Sequence, residues 1–263
     1  MDLGLKGLKA LVTGASSGLG LVTALELARE GAAVAINSRS GERLSAAQQT
    51  FEAEGAGDVV PLVGDVSQAD TATTLVADTA EALGGLDLLV TNSGGPPAGA
   101  FDALSEADWQ AALDLNFNSH RWLIQAALPH LRKSKAASVL TITSISVKQP
   151  IENLMLSNTV RAATLALTKS LSQELGPEGI RFNSILPGWT ETDRVQQLLE
   201  TRARDKQTSV VAEIEKQAAA TPLARMGQPE EFARVAVFLL SPAASYLSGV
   251  MLPVDGGATR GLL

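Results

Sequence analysis

Ser157 and Arg161, in "SNTVR", lie thirteen residues after a run of hydroxyls, "TITSIS", that contains Ser144. At a spacing of i and i+4 the two side chains share one face of a helix. An aliphatic hydroxyl is a far weaker acid than a phenol, whose reference pKa is about 10, so Ser157 alone is a poor proton donor. A guanidinium keeps its proton at any working pH, but its fixed charge and forked N–H groups can stabilise a developing alkoxide or bind a carboxylate. The chain has no cysteine, which excludes thiolate nucleophiles, disulfides and zinc–thiolate sites together. Its chemistry must use oxygen, nitrogen or a bound cofactor. His120 and His130 have no second ligand near them in sequence, so they read as a packed and a partly exposed helix histidine, and no metal is expected.

A cofactor is expected from "LVTGASSGLGLVTALELARE", where Gly14, Gly18 and Gly20 fall directly between a strand and a helix, with Ser16, Ser17 and Leu19 among them. Glycines there permit a tight turn and close backbone approach. The helix N-terminus offers free N–H groups and the positive end of a dipole to a pyrophosphate.

The elements that must hold these residues follow from the hydrophobic pattern. Short apolar runs, "KALVT", "AVAIN", "VVPLV", "LDLLVT", "ASVLTIT", "IRFNSIL" and "GVMLPV", alternate with longer segments of helical period such as Ala69 to Leu83 and Leu154 to Leu175. Such runs suit strands buried on both faces, which right-handed βαβ crossovers produce. The expectation is an α/β fold: one Rossmann domain over 1–263, with a doubly wound parallel sheet of about seven strands and helices on both faces. A chain of 263 residues with 45% hydrophobic content can bury one such core. The charged, alanine-rich stretch 193–221 reads as a helical lid, and Trp189 just before it reads either as a wall of the substrate pocket or as packing for that lid.

Twenty-eight acidic residues against 21 basic ones give a formal charge of -7 spread along the chain, so nucleic acid is not an expected partner. "MDLGLKGLKALVTG" lacks a signal-peptide pattern and no apolar run reaches membrane-spanning length, which predicts a cytoplasmic protein.

These motifs in this order resemble the short-chain dehydrogenase/reductase family, whose T-G-x-x-x-G-x-G loop is matched by Thr13 to Gly20. The resemblance covers nearly the whole chain and in the C-terminal third is similar to 3-oxoacyl-carrier-protein reductases. It continues in "GDV", where Asp65 and Val66 are the residues that meet the adenine in the family. Asn92 and Gly94 in "TNSGG" match the family's N-A-G, with Ser93 for alanine. Pro187, Gly188 and Thr192 in "LPGWTET" match the motif that borders the nicotinamide. At the end of the second strand an acidic residue would favour a free ribose 2′-OH, whereas Ser38 and Arg39 stand here; an arginine can hold a 2′-phosphate, so NADP(H) is expected over NAD(H).

The resemblance further implies that Ser144 polarises a substrate carbonyl and that Asn116, in "DLNFNS", holds a water of the proton relay. The family's proton-donating tyrosine and its lysine fall on Ser157 and Arg161. The one tyrosine, Tyr246 in "ASYLSG", lies near the last strand in a position that looks structural. Three readings stay open: a reductase with a rebuilt site, acting on a small-molecule or acyl-carrier-linked carbonyl; a cofactor-binding protein without turnover; and a different reaction in the same pocket. The resemblance also implies a homotetramer, for which Ala162, Ala163 and Ala166 offer small side chains on the helix that carries Arg161.

Overall fold

The apolar runs become seven strands of one parallel sheet in the computed structural model, which describes residues 2–261. They are β1 (Lys9–Val12), β2 (Ala33–Ser38), β3 (Val59–Val63), β4 (Leu88–Thr91), β5 (Ser138–Ile142), β6 (Arg181–Pro187) and β7 (Met251–Val254). Their order is β3-β2-β1-β4-β5-β6-β7, and every neighbouring pair is parallel. The expected fold class is therefore the observed one. Residues 1, 262 and 263 of the predicted unit lie outside the described residues.

Parallel strands buried on both faces must send alternate side chains into two separate cores. Ala10, Val12, Val34, Ile36, Leu88 and Val90 pack on one side, with helices α1 (Gly18–Arg29) and α9 (Pro229–Leu240). Leu11, Ala35, Leu89 and Val139 pack on the other, against α3 (Ala69–Leu83) and α5 (Ser119–Leu131). Helix α2 (Gly41–Ala53) adds Leu44, Ala47 and Phe51 to the first side.

Between α4 (Glu106–Leu113) and α5 the chain widens into one π turn, Asp114–Asn118. Helix α6 (Met155–Glu174) follows β5 and buries Ser157, Val160, Arg161, Thr164 and Thr168 along one stripe. The stretch 193–221 contains two helices, α7 (Asp193–Lys206) and α8 (Val210–Ala219). Their starts are written in the sequence: Thr192 Oγ1 accepts from Val195 N at 3.4 Å and Ser209 Oγ from Ala212 N at 3.1 Å, caps worth about 1 kcal/mol each.

Strand order reverses between β1 and β4, so the loops leaving their carboxyl ends diverge and open a crevice, the place where open α/β sheets bind ligands.

Candidate active site

The loop after β1 is built for close approach to its neighbours and to an anion. Gly14 and Gly18 have φ of +57° and +56°, in the left-handed region that favours glycine. A Cβ on Gly20 would stand 2.4 Å from the Gly14 carbonyl oxygen, so no other residue fits there without moving the loop. Ser17 is the N-cap of α1 but makes no side-chain cap, which leaves the first N–H groups of the helix free for an acceptor. Thr13 ties this loop to β4: its Oγ1 donates to Asn92 O at 2.7 Å and accepts from Asn92 N at 2.9 Å. Asn92 returns a bond from Nδ2 to Gly14 O at 3.1 Å. Asn92 is thus a brace between the two diverging loops.

At the end of β2, Ser16 Oγ donates to Ser38 Oγ at 2.9 Å, and Ser38 Oγ also accepts from Ser40 N at 3.4 Å. Arg39 is exposed beside them and makes no salt bridge among the described residues. Asp65 turns one oxygen back to Ser67, accepting from its N at 3.0 Å and its Oγ at 2.8 Å, while Val66 is buried in the core under α3. Both stand at the end of β3, outside the lining of the main cavity.

That cavity, of about 300 Å³, joins the first loop to the residues on α6. Gly14, Ser17, Gly18 and Leu19 form one end of it; Ser144, Ser157 and Arg161 line another part, and Pro187, Gly188 and Thr192 also border it. Ser144 Oγ caps the short 3-10 turn Ile145–Val147 by accepting from Ser146 N at 3.1 Å. This bond uses a lone pair and leaves the hydroxyl proton of Ser144 to donate. Ser157 Oγ is paired with Ser146 Oγ at 3.2 Å, a contact in which either can donate.

Arg161 is 7% exposed and has no carboxylate partner among the described residues. Its guanidinium instead reaches three backbone carbonyls at the ends of β4 and β5: Nη1 donates to Ile142 O at 3.4 Å and Thr143 O at 3.3 Å, and Nη2 to Gly94 O at 3.3 Å. Carbonyls at strand ends lie beyond the ladder and are the acceptors the site has to offer. Burial, and secondarily the charge of Arg194, pull the Arg161 pKa down to about 10, so it is still a cation at neutral pH.

Asn116 lies behind this wall, fully buried in the π turn, and does not line the cavity. Its Nδ2 donates to Gly94 O at 2.8 Å and Ser93 Oγ at 2.9 Å, Thr164 Oγ1 donates to its main-chain carbonyl at 2.5 Å, and its Oδ1 has no partner among the described residues. His120, one turn further on, accepts or donates at Nδ1 to Thr91 Oγ1 at 2.7 Å, with Nε2 unpartnered. Burial, then the charge of Arg161, hold its pKa at about 3, so it is neutral.

Sequence reasoning had no role for Ser146, Arg194 or Gly95. Ser146 follows Ser144 by two residues in the same hydroxyl run, and only the 3-10 turn shows that it, and not Ser144, meets Ser157. Arg194, on α7, was one charge among many in a stretch read as a lid. It lies at the cavity and donates from Nη2 to Pro96 O at 2.8 Å. Gly95 makes this approach possible, since a Cβ there would be 3.1 Å from Arg194 Nη2. Trp189 both lines the cavity and packs against the lid helix, where the guanidinium carbon of Arg202 is 4.9 Å from the ring centroid. Tyr246 is fully exposed and is not among the residues that line the cavity. Among the described residues no cluster of three or more His, Asp or Glu side chains is placed to hold a metal ion.

The chain is similar to known proteins over nearly its full length. A family model described as enoyl-(acyl carrier protein) reductase matches residues 14–259. Gluconate 5-dehydrogenase of Gluconobacter oxydans is 33% identical over 258 residues, 98% of this chain and 97% of that protein. The structure of L-sorbose reductase from Gluconobacter frateurii, complexed with NADPH and L-sorbose, matches with a TM-score of 0.94 at 28% identity, covering 100% of both chains. A short chain oxidoreductase from Pseudomonas aeruginosa PAO1, solved with NADPH bound and described as containing an atypical catalytic center, matches with a TM-score of 0.85 at 32% identity over 97% of each chain.

Proposed function

Because the chain belongs to the short-chain dehydrogenase/reductase family, we propose that it is an NADP(H)-dependent oxidoreductase that interconverts a carbonyl and an alcohol with a rebuilt proton-donor pair. The observation that carries this reading is that Ser144 and Arg161 line the same cavity as the glycine loop. The residues fit the dinucleotide: Gly14, Gly18 and the free N–H groups of α1 would receive its pyrophosphate, and Arg39, with no acidic neighbour at the end of β2, its 2′-phosphate. Asp65 and Val66 would border the adenine from the end of β3. When bound, the nicotinamide supplies or takes up the hydride.

The rest of the chemistry falls to the chain. Ser144, with its lone pair occupied by Ser146 N, donates its hydroxyl proton to the substrate oxygen. Arg161 stabilises the negative charge that develops on that oxygen, in a cavity whose lining also includes Ile145, Leu154 and Trp189. In this reading Ser157 and Arg161 occupy the positions of the family's tyrosine and lysine. Neither releases a proton near neutral pH, so a water in the cavity protonates the alkoxide formed by hydride transfer and leaves as hydroxide, while the Ser157–Ser146 hydroxyl contact holds Ser157 in place. Asn116 positions this arrangement from behind through Gly94. Helices α7 and α8 serve as the lid, with α7 forming part of the cavity wall.

Retention of the Ser144 hydroxyl and a charged Arg161 in one cavity favours turnover over a scaffold role. The substrate is a small or acyl-carrier-linked carbonyl compound of the 3-oxoacyl kind. No helix among the described residues is long and apolar enough to cross a membrane, and the proposed compartment is the cytoplasm. Single-turnover oxidation of NADPH against β-ketoacyl, quinone and small ketone substrates tests the reading. Bound NADPH that no substrate oxidises would instead support a cofactor-binding protein without reductase activity.

A further inference from the structure

The charged side chains that line the main cavity are Arg161, Arg194 and Asp193. Asp193 and Arg194 are both exposed residues in the first turn of α7, and Asp193 forms no ion pair with either arginine among the described residues. The two arginines approach the same short strap from opposite ends: Arg161 donates to Gly94 O at 3.3 Å and Arg194 to Pro96 O at 2.8 Å. No salt bridge among the described residues touches either of them; the four that occur join Arg29, Arg132 and Arg225 to glutamates elsewhere. Arg161 is buried, and the charge of Arg194, a residue exposed at the rim, bears on it, so two like charges share one cavity with carbonyl dipoles and solvent as their compensation, which costs free energy. The cost is unusual in a chain whose acidic residues outnumber its basic ones, 28 to 21. It is offset when an anion enters between them.

We infer that the substrate is a small carbonyl compound bearing a free carboxylate, which Arg194 and Arg161 bind at the strap Gly94–Pro96. This rests on the oxidoreductase reading above, and it narrows that reading from thioesters to free oxo acids. A carboxylate suits the planar fork of an arginine, which can hold both oxygens at once. Arg161 makes its three backbone bonds at 3.3–3.4 Å, longer than the usual 2.9–3.0 Å, so these do not exhaust its five donors. Arg194 makes one such bond and keeps the rest of its fork. The remaining wall is apolar at Ile145, Ile151, Leu154 and Leu198, and suits a short hydrocarbon chain on the far side of the carbonyl. A cavity of about 300 Å³ that must also admit the nicotinamide end of a cofactor leaves room for a small acid only.

Calorimetry with 3-oxohexanoate and its methyl ester, on the chain with and without NADP⁺, tests this directly. The acid is expected to bind about tenfold tighter or more, the size of one charge-assisted hydrogen bond. Arg194→Gln should cut that preference to about threefold or less, and Arg194→Lys should keep part of it, since the charge survives without the fork. Equal binding of acid and ester, or a preference that Arg194→Gln leaves intact, would overturn the inference. So would a loss of NADPH affinity in Arg194→Gln, read by NADPH fluorescence, as large as the loss of acid affinity, because the arginine would then serve the cofactor's phosphates. If wild-type protein binds the acid selectively but not NADPH, the carboxylate site stands and the oxidoreductase reading falls. If it binds and oxidises NADPH with neutral ketones as readily as with acids, the reverse holds.

Discussion

Arg161 and Asn116 donate to the same atom, the carbonyl oxygen of Gly94, at 3.3 and 2.8 Å. One residue lines the cavity and the other lies wholly behind it, so Gly94 O is the joint through which the buried π turn fixes the guanidinium. Removal of either partner frees a buried donor or acceptor, which costs about 1–3 kcal/mol, more where charge is involved. Arg161→Ala is therefore expected to lower kcat/KM by about 10²- to 10³-fold, the loss seen when a positioned charge-stabilising group is removed. Arg161→Lys should also lose activity, because an ammonium cannot span three carbonyls as a fork does. Undiminished kcat/KM in both variants, with folding verified by near-UV circular dichroism, would remove Arg161 from the chemistry.

Ser157 is 8% exposed and its Oγ is 3.2 Å from Ser146 Oγ, so a phenol at this position must displace its neighbours. Ser157→Tyr combined with Arg161→Lys is expected to reduce activity on the native substrate and to destabilise the fold by about 1–3 kcal/mol, the usual range for overpacking. Steady-state kinetics and thermal denaturation check both parts. A gain of reductase activity toward simple ketones would mean that the pair is a degraded donor and not a rebuilt one.

Arg39 is exposed at the end of β2 and has no ion-pair partner among the described residues. Arg39→Ala is expected to weaken NADPH binding by about 1.5–3 kcal/mol, the range for hydrogen bonds to charged groups, and to leave NADH nearly unaffected. Calorimetric titration with both cofactors decides it; equal losses would move the 2′-phosphate site elsewhere.

His120 is buried and neutral, its pKa held at about 3 by burial and then by the charge of Arg161. In the unfolded chain it titrates near the reference value of about 6.5. Between these values the unfolded state binds the extra proton, so the stability is full above about pH 6.5 and falls as pH drops toward 3, by at most about 1.4 kcal/mol per pH unit from this one group. Urea denaturation at a series of pH values should show this slope, and His120→Gln should flatten it. An unchanged slope in the variant would assign the acid sensitivity to other groups.

The outward face of α6 exposes Ala163, Ala166 and Ser170, small side chains over which a second helix can pack closely. Assembly into a homotetramer is expected, with Ala166→Arg reducing the mass observed by sedimentation. A wild-type monomer at micromolar concentration would refute the assembly.

The reading of the strands from sequence succeeded because each apolar run is short, dense and flanked by glycine, proline or polar residues, and burial on both faces of a parallel sheet demands that composition. Helix α3 was legible to the residue for a similar reason, with Gly84 in the left-handed conformation closing it. The first glycine loop was legible because backbone sterics leave few alternatives at Gly14 and Gly20. The common face of Ser157 and Arg161 followed from helical periodicity alone.

What periodicity could not give was the far end of each side chain. Ser144 and Ser146 are equivalent hydroxyls in "TITSIS", and the 3-10 turn that follows β5 gives Ser144 the cap and Ser146 the contact with Ser157. The charge of Arg194 could have pointed to solvent like its neighbours on α7; the missing side chain of Gly95, ninety-nine positions earlier, lets it lie against the strap beside Arg161. Sequence determined which elements form and which residues share a face, since those are short-range consequences of dihedral angles and burial. Tertiary structure decided which polar groups find partners, because a guanidinium with no carboxylate in reach takes whatever acceptors the sheet's open end presents, and only the assembled crevice shows which those are.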